Sequence, residues 1–423
     1  MKINVKTTYW VAALAISASG LMIAGKVHVS ERDDALIVHE WGTFTSVAAS
    51  DGSAEDWGVL DGKDDLPSFV NDRGYRGFKR RLEGTVRLET PVLYFYSPRE
   101  VNAHVRVSFP KGLITEWYPK AEYQVDRKTE TGALYRLPAS LNGIDFSMMS
   151  LIGGIEWKSI RIEPGATPDL PREHAPSRYY AARATDASPV TVDGEHEKFL
   201  FYRGVGRFSV PLSARLSQDG NVVLENCGDE VPIAMLFENR GGRFGYRMTR
   251  AVSGEVTLSR PALGTSFDAL AADLENALVR QGLFRKEAQA MIATWRDSWF
   301  EEGSRVIYIV PTGAVNAVLP IQIDPVPAQI RRVFVGRMEL ITAETMHRVE
   351  AAIAANDQCL LDRYGRFLDP ILKRIVLEDP AHAREIEQFR ANTGAVSSVC
   401  SVAVWRRPSA PFALLGSRHP EVN

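Results

Sequence analysis

The sequence predicts an α+β protein in which a β-rich, sandwich- or barrel-like region over residues 31–260 precedes a mixed helix/strand region over 261–423. Three observations carry this reading. From Leu36 to about Leu258, short β-branched and aromatic runs recur between prolines and glycines, the punctuation of a strand meander. At Ser266 the apolar spacing switches to that of a helix. After Gly303 strand runs return, and helical patterns close the chain.

The elements follow in order. Lys2 and Lys6 precede an apolar run from Tyr9 to Ala24, and Glu31, Asp33 and Asp34 follow it, which orients the remainder outside the cytoplasm. The run is short for a membrane span and ample for a signal peptide, and Ala18-Ser19-Gly20 offers small residues at cleavage spacing. Residues 1–30 therefore read as a signal peptide or, if retained, as an anchor through residues 9–24. No cysteine lies near the run, which excludes lipoprotein acylation, and beyond Val29 no apolar stretch is long enough to cross a bilayer.

The opening strand is Val38-His-Glu-Trp-Gly-Thr-Phe-Thr-Ser46. Alternation puts His39, Trp41, Thr43 and Thr45 on one face and Val38, Glu40, Gly42, Phe44 and Ser46 on the other. His39 and Glu40 thus point apart, and no second histidine follows at metalloprotease spacing. Trp41 or Phe44 is expected to anchor the core, with His39 hydrogen-bonded at the strand edge. An acidic loop (Asp51 to Asp65) and a basic stretch (Arg73 to Arg87) come next, and the loop lacks the spacing of a calcium site.

Strands are expected at Leu88–Ser97, Asn102–Phe109 and Leu113–Tyr118, with His104 and Arg106 on the solvent side of the second. More are expected at Ile144–Ile162, Ser177–Ala184, Lys198–Arg203, Asn221–Leu224, Pro232–Glu238 and Phe244–Arg250. Asn239-Arg-Gly-Gly242 marks a hairpin, Gly204-Val-Gly206 a turn, and Glu195-His-Glu197 an exposed loop.

A serine cap at Ser266 and a terminating Gly282 bound the first helix, and a second runs from Lys286 to Phe300 with Trp295 and Trp299 in the core. Strands return at Ser304–Val310, Leu319–Asp324 and Ile330–Leu340. Thr342 caps a helix to Asn356, Leu360–Val376 makes another broken near Gly365 and Pro370, and Asp379-Pro380 opens the last. Pro261-Ala-Leu-Gly264 is the expected domain boundary.

His39 to Ser46, Thr90-Pro-Val-Leu-Tyr-Phe-Tyr-Ser97, Gly112-Leu-Ile-Thr-Glu-Trp-Tyr-Pro119, Phe199–Arg203 and Val333–Arg337 resemble segments of a group of uncharacterised exported bacterial proteins. The resemblance implies a shared fold and export, and it assigns no functional residue.

At 45% hydrophobic and 24% charged content the chain is globular, and a net charge of −2 provides no basic field for nucleic acid. Cys227, Cys359 and Cys400 allow at most one bridge, and Cys359 to Cys400 is the expected pairing in an oxidising compartment. Nucleophile-elbow, Ser-x-x-Lys, His-Glu-x-x-His and phosphate-loop patterns are absent. The expected function is a non-enzymatic, periplasmic or extracellular envelope module binding a protein or small molecule. The alternative is an extracytoplasmic hydrolase with a His/carboxylate site, with or without metal, around His39. Candidate catalytic residues are His39, Glu40 and Glu116, the last a carboxylate beside a tryptophan like Glu156, in the manner of a glycosidase. Candidate metal ligands are His39 and His196; no cofactor is indicated.

Overall fold

The computed structural model describes residues 35–58, 65–72, 83–128, 134–136 and 151–393. The expected signal segment, much of the basic stretch and Cys400 lie outside them. The strands are β1 (Ile37–Ala48), β2 (Trp57–Gly58), β3 (Asn71–Asp72), β4 (Glu83–Gly84), β5 (Val86–Tyr96), β6 (Val101–Phe109), β7 (Gly112–Tyr118), β8 (Glu122–Lys128), β9 (Leu134–Arg136) and β10 (Leu151–Ile162). After them come β11 (Val190–Val192), β12 (Glu195–Glu197), β13 (Leu200–Gly206), β14 (Leu212–Leu216), β15 (Val222–Arg240), β16 (Arg243–Leu258), β17 (Gly303–Val310), β18 (Ile321–Asp324) and β19 (Gln329–Leu340). The helices are α1 (Phe267–Arg280), α2 (Arg285–Trp299), α3 (Thr312–Val318), α4 (Ala343–Ala354), α5 (Gln358–Asp362), α6 (Leu368–Glu378) and α7 (Ala383–Thr393). Strand makes up 44% and helix 27%, with most helices in the C-terminal half, so the class is α+β.

Two sheets face each other. The larger, of ten strands, runs β14-β15-β17-β19-β1-β5-β13-β7-β3 with β16 on β15, and the second, of seven, is built around β10 and β6. Val38, Phe44, Leu88, Leu93 and Phe95 of the larger sheet meet Val105, Val107, Phe109, Trp157 and Ile160 of the smaller in one core. Because β17 and β19 lie between β15 and β1, residues on both sides of Pro261 belong to the same sheet.

The outer face of the large sheet is covered as well. Toward one end α1 and α2 bury Trp295, Trp299 and Leu278 against Trp41, Tyr94, Phe237 and Val335. Toward the other, α4 to α6 bury Met346, Val349, Leu361 and Ile371 against Val47, Val205 and Ile341. Nearly all of β1 is therefore buried on both faces, which overturns the expectation of a single core anchor with His39 at the strand edge. The division of its side chains into two faces stands: Val38 and Phe44 enter one core and Trp41 the other.

Several boundaries differ for identifiable reasons. Ser177–Ala184 forms a 3-10 helix over Arg178–Arg183 instead of a strand, because the Ser177 side chain accepts from Tyr179 N and captures the first turn. Gly204-Val-Gly206 lies inside β13, not in a turn. A Cβ on Gly204 would stand 2.7 Å from Leu113 O, so the glycines serve close strand packing. Glu195-His-Glu197 pairs with β11 rather than forming an exposed loop. Asn221–Leu224 and Pro232–Glu238 fuse into the long β15, broken only by an irregularity between Asn226 and Val231. The hairpin at Gly241 and Gly242, with φ of 62° and 83°, has the left-handed turn its sequence requires. Ser266 and Thr342 cap α1 and α4 as expected.

Candidate functional site

Each residue singled out in the sequence has a defined place. His39 is fully buried, contrary to an edge position, and its Nδ1 lies 2.8 Å from Glu287 Oε2 on α2. The carboxylate can only accept, so Nδ1 carries the hydrogen. Glu287 also accepts from Tyr96 OH at 2.8 Å and from Phe284 N at 2.7 Å. The second ring nitrogen, Nε2, meets the Gln329 side-chain amide at 3.4 Å. His39 thus ties β1 to the start of α2.

Glu40 points into the other core, where it accepts from Tyr202 OH at 2.6 Å and Arg332 Nε at 2.5 Å. Arg332 continues to Asn316 and to Leu319 O at the end of α3. This pair staples α3 to the sheet and leaves only Nη2 of Arg332 without a hydrogen bond. Glu116 is buried and accepts from Thr115 Oγ1, and its strand neighbour across β13 is Arg203. His196 Nδ1 contacts Thr191 Oγ1 at 2.9 Å, while Glu197 beside it is held by Arg183 and Tyr179. The structure brings none of these candidates into a common site. Among the described residues no cluster of three His, Cys, Asp or Glu side chains could hold a metal ion. His104, half-exposed, lies 2.7 Å from Glu156.

The chemistry gathers elsewhere, on the outer face of the large sheet between the two helical covers. In register across three strands stand Arg337 on β19, Thr45 on β1 and Arg87 on β5. Thr43 and Glu89 pair one step along the same face, and Arg305 pairs with Glu339 on the next row. The irregularity that offsets β5 from β1 falls between Trp41 and Thr43, and beside it Thr90 adopts a left-handed φ of 47°. Arg203 Nε reaches Thr90 Oγ1 at 3.3 Å, and its other nitrogens grip Asp65 at 2.7 and 3.0 Å. From above, Arg366 pairs with Glu89 and gives a 2.9 Å hydrogen bond to Ser298 Oγ at the end of α2.

Two arginines on neighbouring strands make the informative contrast. Arg305 is saturated: Nε meets Glu339 Oε2 at 3.0 Å, Nη1 donates to Trp299 O and Glu301 O, and Nη2 to Glu302 O, so it closes the C-terminus of α2. Arg337 is equally buried, yet only Nη2 has acceptors, Glu301 Oε2 and Glu339 Oε2 at 3.2 Å each. Its Nε and Nη1 have none, nor do the hydroxyls of Thr43 and Thr45 or Nε of Arg366, while Nε of Arg87 has no hydrogen bond and only an ion-pair contact with Glu89 Oε1 at 3.6 Å. Buried polar atoms without partners are uncommon, because each forfeits about 1–3 kcal/mol. Here those of Arg337, Thr43 and Thr45 lie on one face of neighbouring strands, while others, such as Arg332 Nη2 and Tyr308 OH, lie on the side of the inter-sheet core. Burial, with Arg305 close by, pushes Arg337 down to about 9. Burial alone would raise the Glu89 carboxyl, but Arg366 and Arg87 outweigh it and hold Glu89 below its ordinary value.

The single-sequence signal for this site was opposite charge at i and i+2 on a strand. Arg87 with Glu89 and Arg337 with Glu339 each put a pair on one face, and that face also carries Thr43 and Thr45. No protein-family model matches the chain, and no curated protein matches it.

Proposed function

We propose that the protein is a binding module whose ligand sits between the two helical covers of the large sheet, and that it acts outside the cytoplasm. The observation that supports binding is the set of buried, partnerless donors on Arg337, Thr45 and Thr43. A fold that buries this much hydrogen-bonding capacity without using it recovers the loss when a ligand fills it. The charged run at residues 2–6, the apolar run over 9–24 and the acidic residues after it support export. Among the described residues, no helix is long and apolar enough to cross a membrane.

A thermal-shift panel of neutral, cationic and anionic metabolite-sized compounds on the purified full chain tests the first part. A binding module shows a concentration-dependent rise in midpoint for some class. A flat response across the panel removes the reading. Fractionation of cells expressing the full chain tests the second, with recovery in the cytosolic fraction as the contrary result.

The hydrolase reading keeps one observation, the orientation of the His39 ring by Glu287, which is how a carboxylate holds a catalytic histidine. Among the described residues, however, the only side-chain hydrogen-bonding partner of Nε2 is the Gln329 amide, with no hydroxyl or thiol.

A further inference from the structure

We infer that the site takes an oxyanion, a carboxylate or phosphate group carried by a small ligand, and that Arg337, Thr45 and Thr43 supply its first hydrogen bonds. The inference rests on the binding reading above and deepens it by naming the ligand's chemistry.

Every unpartnered group on this face is a donor or an amphoteric hydroxyl. Arg337 Nε and Nη1 and Arg366 Nε can only donate, and the threonine hydroxyls rotate to donate. A neutral ligand rich in its own donors would leave these unpaired, and a cation would be repelled. Charge agrees with donor count. Within the ion pairs that link Arg337 to its neighbours, four guanidinium groups (Arg87, Arg305, Arg337 and Arg366) share three carboxylates (Glu89, Glu301 and Glu339), an excess of one positive charge in that set, with Arg203 beside it facing Asp65 and Glu116. A singly charged oxyanion balances it.

Geometry supplies the rest. Thr45 stands between Arg337 and Arg87 in strand register, so their side chains emerge side by side from one face. The Phe367 ring covers the guanidinium of Arg337 at 4.1 Å. That contact occupies the face of the group and leaves its N–H groups free to bind. Arg305, with the same chemistry one strand away, has no such capacity, since all its nitrogens are engaged.

The test is thermal shift and calorimetry on the full chain with sodium acetate, sodium phosphate and sodium chloride at matched ionic strength, using wild type and Thr45→Val. Thr45→Val keeps the side-chain volume and removes one partnerless hydroxyl, so without ligand its midpoint is unchanged or higher. The expected result is stabilisation by acetate or phosphate above the chloride control, with affinity weakened about tenfold or more in Thr45→Val. Acetate acting more strongly than phosphate identifies a carboxylate ligand, and the reverse identifies a phosphate. Equal responses to all three salts, or an oxyanion response that Thr45→Val leaves intact, overturn the inference. If neutral compounds in the wider panel stabilise the protein in a Thr45-dependent way, the binding reading survives and the oxyanion assignment falls. If no compound stabilises the protein, both fall.

Discussion

Arg337 and Phe367 meet with the guanidinium carbon 4.1 Å from the ring centre, joining a strand in the middle of the sheet to the short 3-10 turn between α5 and α6. The C-terminal cover is thereby seated beside the partnerless donors. Arg366, the next residue back, reaches over the same spot to Glu89. One turn of chain thus both closes the site and fixes its charge.

That arrangement separates two substitutions that look alike. Arg337→Met removes a buried charge with most of its donors unpaired and leaves the surrounding arginines and carboxylates balanced, so stability should stay within about 1 kcal/mol of wild type. Arg366→Met strips Glu89 of its two-nitrogen partner in a buried setting and should cost about 3–5 kcal/mol. Urea denaturation of the pair decides this. Equal losses would mean that Arg337 is as fully paired as Arg366.

The same residue gives a pH signature. Burial, with Arg305 close by, holds the Arg337 pKa down at about 9 in the folded protein, well below its value in the unfolded chain. The folded state therefore binds fewer protons between these values, and stability contributed by this group rises as pH climbs through that window. Relative to Arg337→Met, wild type should gain up to about 1.4 kcal/mol per pH unit above about pH 9. An oxyanion favours the charged form, so its affinity should hold below about pH 9 and decline above it. Calorimetric binding constants on either side of that value provide the check.

Acid works in the opposite sense. Glu89 is held below its ordinary value of 4.5, so its contribution is complete above that pH and is lost as pH falls below it. Glu89→Gln should be less stable at neutral pH and show a shallower loss in acid. A parallel acid limb in both proteins would remove Glu89 from the account.

Much of the fold was legible and little of the site was. Period, caps and glycines located β5 to β7, α1, α2, β17, β19 and α4 because those signals are local. The two-sided burial of β1 was not local. The alternation that separated Trp41 from Phe44 was correct, but a sequence of this pattern does not say whether the polar face meets water or helices contributed by residues 267–299. Arg183 and Tyr179 were read as strand because nothing in the run itself announces Glu197, whose buried carboxylate they satisfy. His39 and Glu40 drew attention as neighbours in sequence, yet each answers to a partner more than a hundred residues away.

Cysteine chemistry offers an independent check. Cys359 is disulfide-bonded and Cys227 is free and exposed, while Cys400, the other end of the expected bridge, lies outside the described residues. Alkylation of the native protein should modify Cys227 alone, and mapping of unreduced peptides should join Cys359 to Cys400. Modification of Cys359 without reductant would contradict the pairing.

The opening strand gives the last prediction. Phe44 packs between Phe208 and Phe334, with ring centres at 5.4 and 5.1 Å, and Phe44→Ala should cost about 3–5 kcal/mol, the usual loss for a buried aromatic. Had the opposite face been solvated, His39→Ala would have been nearly silent. Instead His39 is buried against Glu287, and its removal takes one of three donors from a carboxylate sealed away from water. Tyr96 and Phe284 N keep the remaining two hydrogen bonds, so the expected cost is about 2–4 kcal/mol rather than the full penalty of an isolated buried charge. His39→Asn keeps a donor near the position of Nδ1 and should recover a good part of the loss, which a purely volumetric effect would not allow. Denaturation of the three variants measures this directly: a His39→Ala cost below about 0.5 kcal/mol, the range of ordinary surface substitutions, would mean that the ring is hydrated and that α2 does not close over β1 as described.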